Sequence, residues 1–218
     1  MADYSRLDHW SLKAQKEGYP ARSVYKLKEM DEKFGLLKPD QSHRSKASLP
    51  FKVLDLGAAP GSWSLYVLRK LMGSPGGQGS EPSLVSVDLS PLSRQYDQGL
   101  FDKPDFLFIQ GDFTLAEIQE AILSHGPYKL LLSDAAPSTS GNRSLDTLRS
   151  LALAETALDY AETALAPGGS LALKIFQGGD TGILLKKIRG LFETGKSFKP
   201  QACRSESFET YFLGLGKK

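Results

Sequence analysis

The sequence predicts a single α/β domain on a doubly wound, seven-stranded, mostly parallel sheet whose last strand runs antiparallel. Three observations carry that expectation. From residue 51 onward, apolar runs rich in β-formers alternate with segments of helical period. One such run, Val53-Leu54-Asp55-Leu56, breaks at Gly57-Ala58-Ala59-Pro60-Gly61 into an amphipathic stretch. That strand, turn and helix order brings a ligand to a helix N-terminus. The last two strand-like runs have too short a connection for a crossover, so they pair antiparallel and leave a mixed edge.

The elements follow in order. Residues 4–17 and 23–34 read as helices separated by Gly18-Tyr19-Pro20, and Val24, Leu27, Met30 and Phe34 recur at helical spacing in the second. Strands are expected near 51–56, 84–88, 106–110, 129–133, 169–176, 198–204 and 209–216. Helices are expected near 62–72, 114–124, 145–166 and 180–194, with Ala166-Pro167-Gly168-Gly169 punctuating the long one. The polar stretch 41–50 and the Gly/Ser/Pro-rich stretch 73–83 read as surface insertions, not domain boundaries. Residues 1–50 therefore form a helical extension, and 51–218 the core of one domain.

Composition bounds the function. With 218 residues, 40% hydrophobic and 24% charged, the chain has ample core for one globular domain. No apolar run reaches the length of a membrane span, and the N-terminus lacks a signal-peptide pattern, so a cytoplasmic location is expected. Cys203 is the single cysteine, read as a small strand residue, so neither an internal disulfide nor a multi-Cys zinc site can form. Three scattered His show no metal-ligand spacing, and no metal is expected. Charge is uneven. Residues 1–50 carry 10 Lys/Arg against 7 Asp/Glu and residues 174–218 carry 9 against 4, whereas 51–173 carry 8 against 14. Basic ends that meet in space would offer phosphates a surface.

What the Gly-rich turn lacks narrows its ligand. It is neither the G-x-G-x-x-G of dinucleotide folds nor a P-loop, since no Lys follows. Acidic residues instead end two later strands, Asp88 and Asp112. Carboxylates accept from ribose hydroxyls and a base amino group, and they are poor partners for pyrophosphate. An adenosine-containing ligand without phosphates fits, and S-adenosylmethionine is the common one. Gly57, Asp88, Asp112 and Asp134 all fall at the carboxyl edge of the sheet, where such ligands bind.

A second constellation shares that edge. Asp134 follows Leu130-Leu131-Leu132-Ser133, and Lys174 lies inside Leu171-Ala172-Leu173-Lys174-Ile175-Phe176, where a charge is costly unless paired. Lys26 and Glu209, each taken alone, look ordinary.

Together these blocks resemble the FtsJ/RrmJ (RlmE-type) family of ribosomal RNA 2′-O-methyltransferases, over nearly the whole chain. The carriers are Ala21-Arg22-Ser23-Val24-Tyr25-Lys26-Leu27, Asp55-Leu56-Gly57-Ala58-Ala59-Pro60-Gly61-Ser62-Trp63-Ser64, Gln110-Gly111-Asp112-Phe113 and Ser133-Asp134-Ala135-Ala136-Pro137. Leu173-Lys174-Ile175-Phe176-Gln177-Gly178 and the segment 205–211 complete the set. The resemblance implies a Rossmann-like methyltransferase fold, S-adenosylmethionine as cofactor and S-adenosylhomocysteine as product. It implies a catalytic set of Lys26, Asp134, Lys174 and Glu209, with cofactor contacts from Gly57, Gly61, Trp63, Asp88, Asp112 and Asp134. Ser62 departs from the family by replacing a second Gly before Trp63.

The implied reaction is methyl transfer to the ribose 2′-hydroxyl of a uridine in large-subunit ribosomal RNA, on the assembled subunit, by a monomer. Lys174 would activate the hydroxyl or stabilise the developing alkoxide. Arg6, Lys13, Arg22, Lys28, Lys196, Lys199 and Arg204 are the candidate phosphate contacts. Two other readings stand beside this one: a transfer-RNA 2′-O-methyltransferase, and a ribosome-assembly factor with little activity. A nicotinamide-dependent oxidoreductase is disfavoured by the missing G-x-G-x-x-G.

Overall fold

A computed structural model describes residues 8–38, 50–71, 82–178, 181–204 and 207–218. The stretches 41–50 and 73–83 lie outside them apart from their last residues. Two helices, α1 (His9–Lys16) and α2 (Val24–Phe34), precede the sheet. Then follow β1 (Val53–Leu56), α3 (Ser62–Leu71), β2 (Leu84–Asp88), β3 (Phe106–Gln110), α4 (Ala116–Ser124) and β4 (Tyr128–Ser133). The chain closes with α5 (Arg143–Ala164), β5 (Leu165–Phe176), α6 (Thr181–Leu191), β6 (Phe192–Phe198) and β7 (Glu209–Lys217).

The sheet order is β3-β2-β1-β4-β5-β7-β6. Strands β1 to β5 pair parallel, and β7 is inserted antiparallel to both β5 and β6. The central strands are covered on both faces, which is why they read as continuous apolar runs and not as alternating ones. Val53, Leu130, Leu132, Ala172 and Tyr211 pack with α2 and α3 residues such as Leu27, Met30 and Trp63 on one face. Leu54, Leu56, Val87, Leu131 and Leu173 pack with α4–α6 residues such as Ile122, Ala161 and Ile188 on the other.

Three expectations need correction. The sixth strand runs over Phe192–Phe198 and not 198–204. As an edge strand paired only with β7, it needs no apolar outer face, and Glu193, Lys196 and Ser197 are exposed. Helix α6 accordingly stops at Leu191. Residues 200–203 form a turn in which the Cys203 amide donates to the Pro200 carbonyl at 3.1 Å, so Cys203 is a buried turn residue and not a strand residue. The long helix ends at Ala164, and β5 takes over at once through Ala166-Pro167-Gly168-Gly169. Among the described residues, no helix is long and apolar enough to cross a membrane.

Candidate active site

The sheet order reverses between β1 and β4: from β1 the chain winds outward to β2 and β3, from β4 to β5. Loops leaving the two strands part there and open a crevice at the carboxyl edge. Gly57, at φ +74°, sits where these loops touch; a Cβ there would stand 2.5 Å from the Ala135 Cα. Only glycine fits both the conformation and the approach. Gly61, at φ +104°, faces the Phe101 ring, whose Cζ an added Cβ would meet at 3.0 Å.

The turn's own donors are committed. The Gly57 and Ala58 amides donate to the Val87 carbonyl at 2.9 and 3.1 Å, and that of Gly61 to the Ala58 carbonyl at 2.7 Å. The Ala59 amide donates to Asp88 Oδ2 at 2.9 Å, and Pro60 has no N–H. Four amides that the turn could have aimed at a ligand are thus spent within the protein. The carboxylates at this edge add acceptors. Asp88 also holds the Ser90 amide through Oδ1 at 2.8 Å, and Asp112 Oδ1 accepts from the Thr114 amide and hydroxyl at 2.9 and 2.7 Å. Each carboxylate keeps acceptor capacity beyond these bonds. Leu89, 68% exposed beside Asp88, supplies an apolar surface that sequence reasoning passed over.

Such a carboxylate-bearing edge fits an adenosine group without phosphates. Trp63 is more deeply placed than a ligand shelf would be. Its ring is buried and lies 5.9 Å from Tyr211, and its indole N–H donates to the Ser23 carbonyl at 2.8 Å. Ser62, the departure from the family pattern, has a structural use. Its hydroxyl accepts from the Ala21 amide at 2.8 Å and lies 3.1 Å from the Ala21 carbonyl, clasping the N-terminal extension to the start of α3.

The four catalytic candidates converge as two ion pairs. Lys174 on β5 lies directly opposite Tyr211 on β7, and Phe176 opposite Glu209, so all four share one face. Lys174 Nζ stands 3.0 Å from Asp134 Oδ1 and also donates to the Asp134 carbonyl. The same Oδ1 accepts the Tyr211 hydroxyl at 2.6 Å. Tyr211 is a site residue found only in the structure; its sequence signal was its place two residues after Glu209. The second pair joins α2 to β7, with Lys26 Nζ 2.7 Å from Glu209 Oε1. All four side chains are between 8% and 16% exposed.

Burial acts on every charge here, and the pairing decides the outcome. For Asp134, burial pushes the carboxyl up, but the Lys174 and Lys26 charges and the Tyr211 bond outweigh it, leaving the pKa below the usual carboxylate value. For Lys26, burial pulls down, yet Asp134 and Glu209 outweigh it and hold the ammonium above its ordinary value. Lys26 is therefore a fixed cation at neutral pH. Burial drives the Tyr211 phenol well up, with Asp134 adding to the shift, so the hydroxyl stays a donor. Beneath the crevice, Asp55 is fully buried. It accepts from Ser64 Oγ at 2.7 Å and has its other oxygen unpartnered; burial first, then Asp134 and Asp88, push its carboxyl to about 7.

Several candidate phosphate contacts have other employment. Arg22 turns inward to Asp8 and the Ala202 carbonyl, and Lys28 pairs with Glu17 at 2.6 Å. Lys199 donates to the Ser207 carbonyl at 2.6 Å, and Arg6 lies outside the described residues. A separate hollow of about 330 Å³ between α5 and α6, near Glu155 and Lys187, lies on the sheet's other face, away from this chemistry.

A seven-stranded sheet in this order, with an acidic carboxyl edge and no phosphate-gripping turn, defines a Rossmann-like methyltransferase. The family model of FtsJ-like methyltransferases matches residues 19–217, and the chain belongs to that family. It is 49% identical to the ribosomal RNA large subunit methyltransferase E of Treponema denticola, over 99% of this chain and 97% of that one. The protein of the same name from Oleidesulfovibrio alaskensis is 43% identical, over 97% and 92%. Among solved structures, a ribosomal RNA methyltransferase from Plasmodium falciparum superposes with a TM-score of 0.69 at 24% identity, covering 91% of this chain and 98% of that one.

Proposed function

We propose that this enzyme transfers the methyl of S-adenosylmethionine to the 2′-hydroxyl of a uridine ribose in large-subunit ribosomal RNA, on the assembled subunit. One observation carries the reading: two ion pairs stand at the mouth of the crevice, on the edge where Asp88 and Asp112 offer acceptors. The relatives named for ribosomal RNA large-subunit methylation supply the substrate class.

In this reading the cofactor supplies an already activated methyl, so the protein chiefly aligns groups. Alignment of this kind contributes about 7–11 kcal/mol. Asp88 and Asp112 would receive ribose and base donors, Leu89 would cover the base, and Gly57, Gly61 and the Trp63 backbone shape the turn. Asp134 anchors Lys174 through both its carboxylate and its carbonyl, so Nζ has little freedom. Lys174 would then meet the charge that develops on the attacking oxygen, and the hydroxyl proton would pass to the ionised Asp134 carboxylate and on to solvent. Lys26, held charged by Glu209, adds a second fixed positive centre. The 1–50 extension contributes Lys26 to this chemistry and basic surface to RNA binding, including Lys13, which lies over the Tyr25 ring at 4.7 Å.

The test is transfer of labelled methyl to unmodified large subunits, free ribosomal RNA and transfer RNA, with the product nucleotide mapped. A single 2′-O-methyluridine in the large subunit supports the proposal. Label confined to transfer RNA would replace the substrate, and cofactor binding without any transfer would favour an assembly factor.

A further inference from the structure

The turn at 200–203 is gripped by α2 through bonds that the four-residue catalytic set does not explain. Glu29 Oε2 accepts the Gln201 amide at 2.6 Å, and Oε1 accepts the Ala202 amide at 2.8 Å. Arg22, just ahead of the helix, donates to the Ala202 carbonyl from the other side. Two successive amides on one carboxylate are charge-assisted bonds of the stronger kind. Neutral Gln in that place would present its NH2 group to one of those N–H donors.

The grip faces the catalytic pair. Lys26 and Glu29 are three residues apart on α2 and share a face, with Arg22 one turn upstream. The turn they hold carries the buried Cys203 and leads to Arg204, whose carbonyl accepts the Ser207 amide at 3.0 Å, and the Ser207 hydroxyl accepts the Glu209 amide at 3.2 Å. Glu209 in turn pairs with Lys26. A closed circuit results, running from Glu29 through the 201 and 202 amides, the Arg204 carbonyl and Ser207 to Glu209, and back to α2 at Lys26.

We infer that Glu29 is a positioning residue of the methyl-transfer site, setting the Lys26–Glu209 pair by fixing the turn that is tied to Glu209 through Arg204 and Ser207. The inference rests on the proposed transferase reading, but it can be separated from it, because Cys203 is the sole cysteine in the chain and reports on the turn without turnover.

The experiment compares the full-length protein with Glu29→Gln. The expected result is a fall in kcat of about tenfold or more, since small misplacements of reacting groups are expensive in rate. The calorimetric Kd for S-adenosylhomocysteine should stay unchanged. In a Lys26→Ala background the same substitution should cost nothing further, and Cys203 should react faster with a thiol reagent. A kcat within twofold of wild type, or an equal loss in both backgrounds, would overturn the inference. So would a thiol as protected as in wild type. A wild type without turnover sinks the transferase reading instead, and the thiol rates still decide whether the grip exists. Should Glu29→Gln not fold, Ser207→Ala breaks the circuit elsewhere. A kcat loss restored by Ser207→Thr supports the inference, and no loss overturns it.

Discussion

The two ion pairs are built in different ways. Asp134 and Lys174 come from adjacent strands, β4 and β5, whose register sets Ser133 against Leu173 one residue before each. Once the sheet forms, that pair has almost nowhere else to be. Lys26 and Glu209 come from a helix and from the start of β7, 183 positions apart in sequence, and only docking of the helix on the sheet brings them together. That docking uses polar clasps: Trp63 to Ser23, Ser62 to Ala21, and Tyr66 to Asp31 at 2.8 Å. Half of the site is thus inherited from the sheet, and half is assembled on it.

The largest expected effect breaks the sheet-built half. Lys174→Ala should lower kcat by at least about 10²-fold, with cofactor affinity by calorimetry nearly unchanged; a mutant of wild-type rate would contradict the assignment. Lys26→Ala should cost less, about tenfold to 10²-fold in kcat, because it removes a fixed charge beside the reacting oxygen and leaves the Asp134–Lys174 pair in place. Equal losses in the two mutants would erase the distinction between the halves.

The clasp itself is tested by Asp31→Asn. Asp31 accepts from the Tyr66 hydroxyl and, at 2.8 Å, from the Leu37 amide, both inside the protein. Loss of that arrangement should destabilise by about 1–3 kcal/mol, read as a lower Tm. Hydrogen exchange should rise in α2 while the central strands stay protected. Uniform loss of protection would mean that the helix and the sheet unfold as one unit.

The smallest effect sharpens the sheet side. Asp55 has its carboxyl pushed to about 7 by burial, against an unfolded value near 4. The native state therefore holds a proton that the unfolded chain releases earlier. Stability from this group is complete below about pH 4 and is lost as pH rises through about 7. Asp55→Asn has no such proton, so its Tm relative to wild type should climb between about pH 4 and about pH 7. Parallel Tm curves would show that Asp55 is ionised in the native protein throughout.

This contrast also governs what could be read in the sequence. The sheet was legible because parallel strands buried on both faces leave continuous apolar runs, and Lys174 stood out as a charge inside one of them. Asp134 was marked by its place at a strand end. Lys26 and Glu209 carry no such mark, since a Lys on an amphipathic helix and a Glu at a strand start are ordinary until folding joins them; only the family pattern singled them out. Strand β6 escaped because an edge strand may be polar, and Pro200 and Cys203 drew the expected strand into a turn. Ser62 looked like a neutral departure, whereas its hydroxyl closes a clasp that glycine could not make.

The self-satisfied turn after β1 has a consequence for a cell crowded with adenine nucleotides. ATP and NAD carry the same adenosine as the proposed cofactor, at high concentration. A phosphate arriving at this turn would meet the Gly57, Ala58, Ala59 and Gly61 amides already donated elsewhere and the Asp88 carboxylate on the same edge. The methyl donor, with no phosphate and a positive sulfur, meets neither obstacle. Those four amides, bonded within the protein, leave the turn itself nothing to donate to a phosphate-bearing competitor.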